Sequence, residues 1–190
     1  VRDVVLVSIE PDRLTALKRK ILEETPGAHV ELGTTTKRWV GDCDLIVTAT
    51  SAFGQRVLDV SQCKPGAVIL DVALPPDISA EEAATRPDVL VVESGEVLIP
   101  GPVEFSFNIG LPQGVAYACL AEAALPAMEG RFESFTPGRD VPPGKVKEIY
   151  RLFRKHGFQI APLRTFGALL SDALVAEKNA RAEELRRDHA

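Results

Sequence analysis

Two groups of residues have types and spacing suited to chemistry. The first is Cys119, a thiol set among small residues in Tyr117–Ala123 (YACLAEA). On a helix, Val115, Ala116 and Ala123 share its face, and such a face lets another group approach closely. A free thiol there is either a nucleophile or a small apolar filler, because free cysteine is among the most buried residue types. The second group follows the apolar runs. Ser8, Glu10 and Arg13 come after the first, and Thr48, Ala49, Thr50 and Ser51 after the second. Val72, Ala73 and Leu74 follow the third beyond Asp71, and Gly95 follows the fourth. Residues just past the carboxyl ends of parallel strands line the ligand crevice of open α/β sheets. An acid such as Glu10 can accept hydrogen bonds from ribose hydroxyls, or simply introduce a helix. The hydroxyls of Thr48, Thr50 and Ser51 can bond phosphate or ribose, or cap a turn. Pro75-Pro76 stiffens the third loop in either case.

These positions require strands and helices in alternation. Val4–Ile9 is a continuous apolar run, as are Asp44–Thr50, Ala67–Asp71 and Val89–Val92. Such runs predict strands buried on both faces of a parallel sheet. Between the first two, Pro11 and Asp12 open a helix that carries Leu14, Leu17, Ile21 and Leu22 at helical spacing, and Pro26-Gly27 stops it. A short strand is expected around His29–Leu32, and helices over about Gly54–Val60 and Ile78–Ala84. The pattern predicts an α/β fold with four adjacent parallel strands. A long loop follows over Gly95–Pro112, with room for a hairpin. Helices are then expected over Gln113–Glu129, Lys145–His156 and Phe166–Arg187. The corresponding division is residues 1–130 as a nucleotide-binding domain and 131–190 as a helical region.

Composition narrows the classes of function. The chain has 190 residues with a net charge of -5, so no basic footprint points to nucleic acid. Its apolar runs are too short to span a bilayer. Three widely spaced cysteines, Cys43, Cys63 and Cys119, fit a reduced cytoplasmic protein better than a disulfide scaffold, and no metal-ligand spacing occurs. His29, His156 and His189 are scattered. No GxGxxG precedes a helix, so the phosphate-cradling turn of a nucleotide fold is expected upstream of Val1, or from another chain.

Several segments together resemble the long-chain acyl-(acyl-carrier-protein) reductase family. They are Asn108–Pro112 (NIGLP), Tyr117–Ala123 (YACLAEA), Met128–Phe132 (MEGRF), Gly138–Asp140 (GRD) and Lys155–Gln159 (KHGFQ). The upstream half is similar to that family's Rossmann domain from its second strand onward. The segments TATSA and DVALPPDI are also similar to glutamyl-tRNA reductases and shikimate dehydrogenases. The resemblance implies an incomplete, doubly wound Rossmann sheet followed by a helical region. It implies NADPH or NADH as cofactor, and reduction of a fatty acyl thioester of acyl carrier protein or coenzyme A to an aldehyde. Cys119 falls on the family's acyl-accepting cysteine. Glu10 stands near the family's usual arginine, a departure that favours NADH, although Arg13 can reach the phosphate side. A dehydrogenase of the shikimate type with a structural Cys119, and a non-catalytic binding fragment, are the alternatives.

Overall fold

The structure, a computed structural model, describes residues 1–52 and 54–188. It comprises two compact units, Val1–Glu93 with Arg164–Ala190, and Ser94–Leu163. The division falls at 93/94 and 163/164 instead of 130/131, so the stretch expected as one helical region is shared between the units.

The first unit opens with β1 (Asp3–Val7), α1 (Pro11–Glu24) and β2 (His29–Gly33). The strands pair in parallel from Asp3↔His29 to Val7↔Gly33. Proline in the first turn of α1 needs no hydrogen bond from its nitrogen, and Leu14 is the residue that the helix buries. Next come β3 (Leu45–Thr48), a 3-10 turn at Val60–Gln62, β4 (Val68–Asp71), α2 (Ala80–Ala84) and β5 (Leu90–Glu93). These three strands are parallel, in the order β3, β4, β5, with Leu45, Val68 and Leu90 in one row. Alternation along a strand sends Ile46, Ile69 and Val91 to one face. There they join Val40, Leu58, Val60, Ile78 and Ala83 in the core. Full burial of a side chain such as Ile69 is worth about 1.5–3 kcal/mol.

In the second unit, β6 (Glu96–Leu98) pairs antiparallel with β7 (Val115–Tyr117) and with β8 (Gln159–Ile160). Helices α3 (Ala118–Met128) and α4 (Pro143–Lys155) lie between β7 and β8 in the chain. Val97, Ala116, Ala121, Leu125 and Phe158 form this unit's core, and Ile149, Leu152 and Phe153 of the amphipathic α4 segment pack against it.

The chain then returns to the first unit. The hairpin β9 (Arg164–Thr165) and β10 (Ala168–Leu169) extends the sheet beyond β5, antiparallel to it. Helix α5 (Asp172–Asp188) follows. Its Lys178 ammonium donates to the carbonyls of Pro87 and Val89 at 3.2 and 2.9 Å. Ala182 packs so near Gly66 that a Cβ there would lie 3.0 Å from the Ala182 methyl. Gly66 also has φ +79, so both helix approach and backbone conformation favour glycine. Beside it, Asp88 is 1% exposed and forms a two-pronged pair with Arg86 at 2.8 and 2.7 Å.

The fold is mixed α/β with parallel strands and several helices, and four sequence expectations change. Three of the four apolar runs are adjacent parallel strands, but β1 pairs with β2 in a separate two-stranded sheet. No α-helix forms over residues 54–60: Gly54 has φ +73, and the Asp59 carboxylate caps a single 3-10 turn. The helix expected from Gln113 starts at Ala118, because Val115–Tyr117 is taken up by β6 pairing after a turn at Gly114 with φ +78. The last helix starts at Asp172, not Phe166. Phe166 and Gly167 have φ values of 46 and 77 and form the two-residue turn of the β9–β10 hairpin.

Candidate ligand site at the carboxyl edge of the parallel strands

Strand β3 ends in Thr48 and β4 in Asp71, paired in the same register row. Both are buried, and the Thr48 hydroxyl donates to the Asp71 carboxylate at 3.0 Å. Asp71 also accepts from the amides of Ala73 at 3.1 Å and Ile78 at 3.0 Å. One carboxylate thus pins the start and the end of the loop that runs from β4 toward α2. Leu74 and Pro75 are joined by a cis peptide bond within that loop.

Across from the loop lies the segment that leaves β3. Thr50 donates its hydroxyl to Asp77 at 2.6 Å and its amide at 3.0 Å, so Asp77 ties the two segments together. A cleft of about 300 Å³ opens here, lined among others by Thr50, Ser51, Arg56, Leu74, Asp77 and Ser79. Arg56 is about half exposed and meets Asp59 and Glu82, each at 2.8 Å. The Ser61 hydroxyl, its amide and Arg56 hold the Asp59 carboxyl below the usual carboxylate range. Ser79 accepts from the Glu82 amide at 3.1 Å and so caps α2. The cleft offers hydroxyls, one guanidinium and carboxylates, with the Thr50 hydroxyl held on Asp77.

A second opening of about 360 Å³ lies at the carboxyl end of β2, lined by Leu14, Leu32, Gly33, Arg38 and Trp39 among others. The Arg38 guanidinium sits 4.4 Å from the Trp39 ring centre. Ser8 and Glu10 occupy the end of β1. The Ser8 hydroxyl accepts from the Glu10 amide at 3.2 Å, and the Glu10 carboxylate is 4.0 Å from the Arg13 guanidinium. Glu10 stands at the N-terminal boundary of α1 without a capping hydrogen bond from its side chain.

The structure therefore brings Thr50, Ser51 and Leu74 into one cleft. Thr48 is turned inward to Asp71, Ala49 is exposed, and Val72 and Ala73 flank the pinned loop. Gly95 and Cys119 belong to the other unit. The Gly95 carbonyl accepts from the Ala118 amide at 2.7 Å, and Cys119 is exposed in the first turn of α3. Sequence reasoning missed Arg56, Asp77, Ser79 and Glu82. A signal was present for the last two: Ser79-x-x-Glu82 has the spacing of a capping box. Among the described residues, no group of three or more His, Cys, Asp and Glu side chains is placed to hold a metal ion. Among them, too, no helix is long and apolar enough to cross a membrane.

No protein-family profile matches the chain. Over 128 residues, 66% of its length, the chain is 39% identical to a protein named Aminotransferase PigE from Serratia sp. (strain ATCC 39006). That stretch is only 15% of the relative's length. The similarity corrects the expected activity. A relative carrying an aminotransferase name argues against reduction of an acyl thioester to a fatty aldehyde, and against the oxidoreductase class in general, including the dehydrogenase alternative.

Proposed function

We propose that this chain is an α/β ligand-binding domain of a transaminase-type enzyme, and that the transamination itself is carried by polypeptide outside residues 1–190. The observation that carries the proposal is the 39% identity to an aminotransferase-named protein over a stretch that makes up 15% of it. A domain that small relative to the whole is suited to an accessory role.

The residues present support the separation. Transaminase chemistry uses pyridoxal phosphate, a carbonyl cofactor held on a lysine and steered by an aspartate or arginine at its ring nitrogen. None of the residues lining either opening described above is a lysine. Lys178 is engaged with backbone carbonyls next to the amino end of β5, and burial lowers its pKa from the ordinary lysine value. Lys64 lies 2.6 Å from Asp44, and Lys155 2.7 Å from Glu129. None of these three lysines lines either opening.

The finer architecture belongs to the same proposal. Strands β1 and β2, joined by α1, and strands β3 to β5 are two parallel runs of a doubly wound sheet of Rossmann type. In such a sheet a nucleotide-type ligand lies across the carboxyl edge, facing Glu10 and Arg13 at one end and Thr50 and Ser51 at the other.

The test uses the protein as its gene encodes it. Incubation with pyridoxal phosphate, borohydride reduction and peptide mapping should place the pyridoxyl-lysine outside residues 1–190, in a preparation that transaminates. A modified lysine within 1–190 would overturn the accessory role, and absence of transamination would overturn the enzyme class. ADP-ribose serves as probe for the edge: Glu10→Ala and Thr50→Ala should each weaken its binding several-fold.

A further inference from the structure

Cys43 and Cys63 stand on two segments of the first unit that meet on either side of them. Just before the cysteines, a Cβ on Gly41 would lie 3.5 Å from the Gln62 carbonyl oxygen, so the two backbones approach closely. Just after them, the Lys64 ammonium meets the Asp44 carboxylate at 2.6 Å. Both thiols are unbonded. Cys63 is 4% exposed and belongs to the core with Val40 and Val60, whereas Cys43 is half-buried. Arg86 donates to the carbonyls of Ser61 and Cys63 at 2.9 Å each, which fixes the inner cysteine. Residues 41–44 lie outside any helix or strand, so Cys43 is the one able to turn.

We infer that Cys43 and Cys63 are a redox modification site, a thiol pair that closes reversibly to a disulfide and ties down the segment between them. A disulfide needs Cα atoms about 4.4–6.8 Å apart, in keeping with the close approach at Gly41 and Gln62. The oxidant is a small-molecule disulfide such as oxidised glutathione. The Cys43 thiolate, within reach of solvent, attacks one of its sulfurs, breaks that S–S bond and releases one thiolate, which takes up the proton that Cys43 lost. The Cys63 thiolate then attacks Cys43 Sγ in the mixed disulfide and releases the second thiol. Two protein thiols are oxidised and one disulfide is reduced to two thiols. Burial, then the charges of Asp42 and Asp44, raise the Cys43 pKa, and burial pushes Cys63 up to about 11. The charge of Cys43 is among the smaller causes acting on Cys63, so the two thiols feel each other. Closure is therefore slow at neutral pH and quickens with alkali, because the thiolate is the attacking form. Transient bridges of this kind are compatible with a reducing compartment, where a structural disulfide is not. The tied segment includes β3, Thr50, Ser51 and Arg56, which is one wall of the candidate cleft.

The experiment uses the protein as its gene encodes it, with Cys119→Ser to remove the exposed competing thiol. The native protein is equilibrated with oxidised glutathione at mildly alkaline pH, alkylated, digested without reduction and mapped by mass spectrometry. The expected product is a pair of peptides joined through Cys43 and Cys63, lighter by two hydrogens than the separate peptides and released by dithiothreitol. Cys43→Ser should abolish the pair and leave Cys63 a free thiol, since the inner cysteine is reached only through the outer one. Glutathione retained on Cys43 alone, recovery of both cysteines as alkylated thiols, or direct modification of Cys63 in Cys43→Ser would overturn the inference. Hydrogen exchange gives a second readout that needs no substitution at either site. The amides of residues 50–52 should exchange about threefold more slowly in the bridged protein, as expected for a segment whose local opening is restrained. Equal exchange in the reduced and bridged forms would overturn the restraint on the cleft wall. Neither readout depends on transamination or on ADP-ribose binding, so failure here is distinguishable from failure of the function proposed above.

Discussion

Replacing Asp71 with alanine should loosen the candidate cleft without rearranging the sheet. The carboxylate is 4% exposed and accepts three hydrogen bonds, from the Thr48 hydroxyl and the amides of Ala73 and Ile78. A hydrogen bond to a charged group is worth about 1.5–3 kcal/mol, and a buried donor left without its acceptor costs about 1–3 kcal/mol. The three bonds share one acceptor group, so their losses overlap and cannot be summed. The Ala73 amide is only partly buried and can turn to water. Ile78 is 1% exposed and its amide has no such recourse. About 3 kcal/mol is therefore expected for Asp71→Ala. Asp71→Asn keeps one acceptor oxygen but turns an NH2 group toward another donor, and should lose about half as much.

Urea unfolding followed by tryptophan fluorescence is the assay. Trp39 is the chain's single tryptophan and lies in the first unit, so the signal reports the unit that holds Asp71. The midpoint should fall while the slope stays constant, as expected when stability changes and exposed surface does not. Exchange of the Ile78 amide should accelerate together with the loop. If Asp71→Ala shifts stability by less than about 0.5 kcal/mol, the size of an ordinary surface substitution, then this carboxylate does not anchor the cleft wall and the account is wrong.

Two further outcomes follow from the same structure. Burial raises the Asp88 pKa, but the Arg86 hydrogen bonds and charge outweigh it, leaving the carboxyl below its ordinary value. A depressed carboxyl stabilises the fold above its unfolded pKa, and that stability is lost as pH falls through the folded value. Asp88→Asn should thus cost about 3 kcal/mol at pH 7, as in broken buried pairs, and flatten the acid limb of a stability-against-pH curve; an unchanged limb would exclude the pair as its source. Thiol alkylation should rank the cysteines. Exposed Cys119 should react first and half-buried Cys43, whose pKa burial raises, more slowly. Cys63 should react last, since burial pushes its pKa up to about 11. Iodoacetamide labelling mapped by peptide would show otherwise if Cys63 led.

Periodicity made the parallel core legible because each strand carries its own evidence. Ile46, Ile69 and Val91 sit in apolar runs that no amphipathic helix would tolerate, and the structure places them in one row. Pro11 and Asp12 likewise marked α1 from local chemistry alone. Short antiparallel pieces were less legible. Val115–Tyr117 is a strand only because Glu96–Leu98 lies beside it, and a three-residue pairing leaves too little pattern to outvote the helix-favouring run that follows. The cleft was half legible for a related reason. Thr50 and Ser51 follow a strand that can be seen in the sequence, whereas Arg56 and Asp77 belong to irregular segments. Asp77 gains its place by holding Thr50, 27 positions away. Leu45 and Val47 mark the opposite failure, since the same apolar run that identified β3 predicted burial on both faces. Local pattern records the apolar surroundings such runs usually meet, and at this strand one face, that of Leu45 and Val47, is exposed instead.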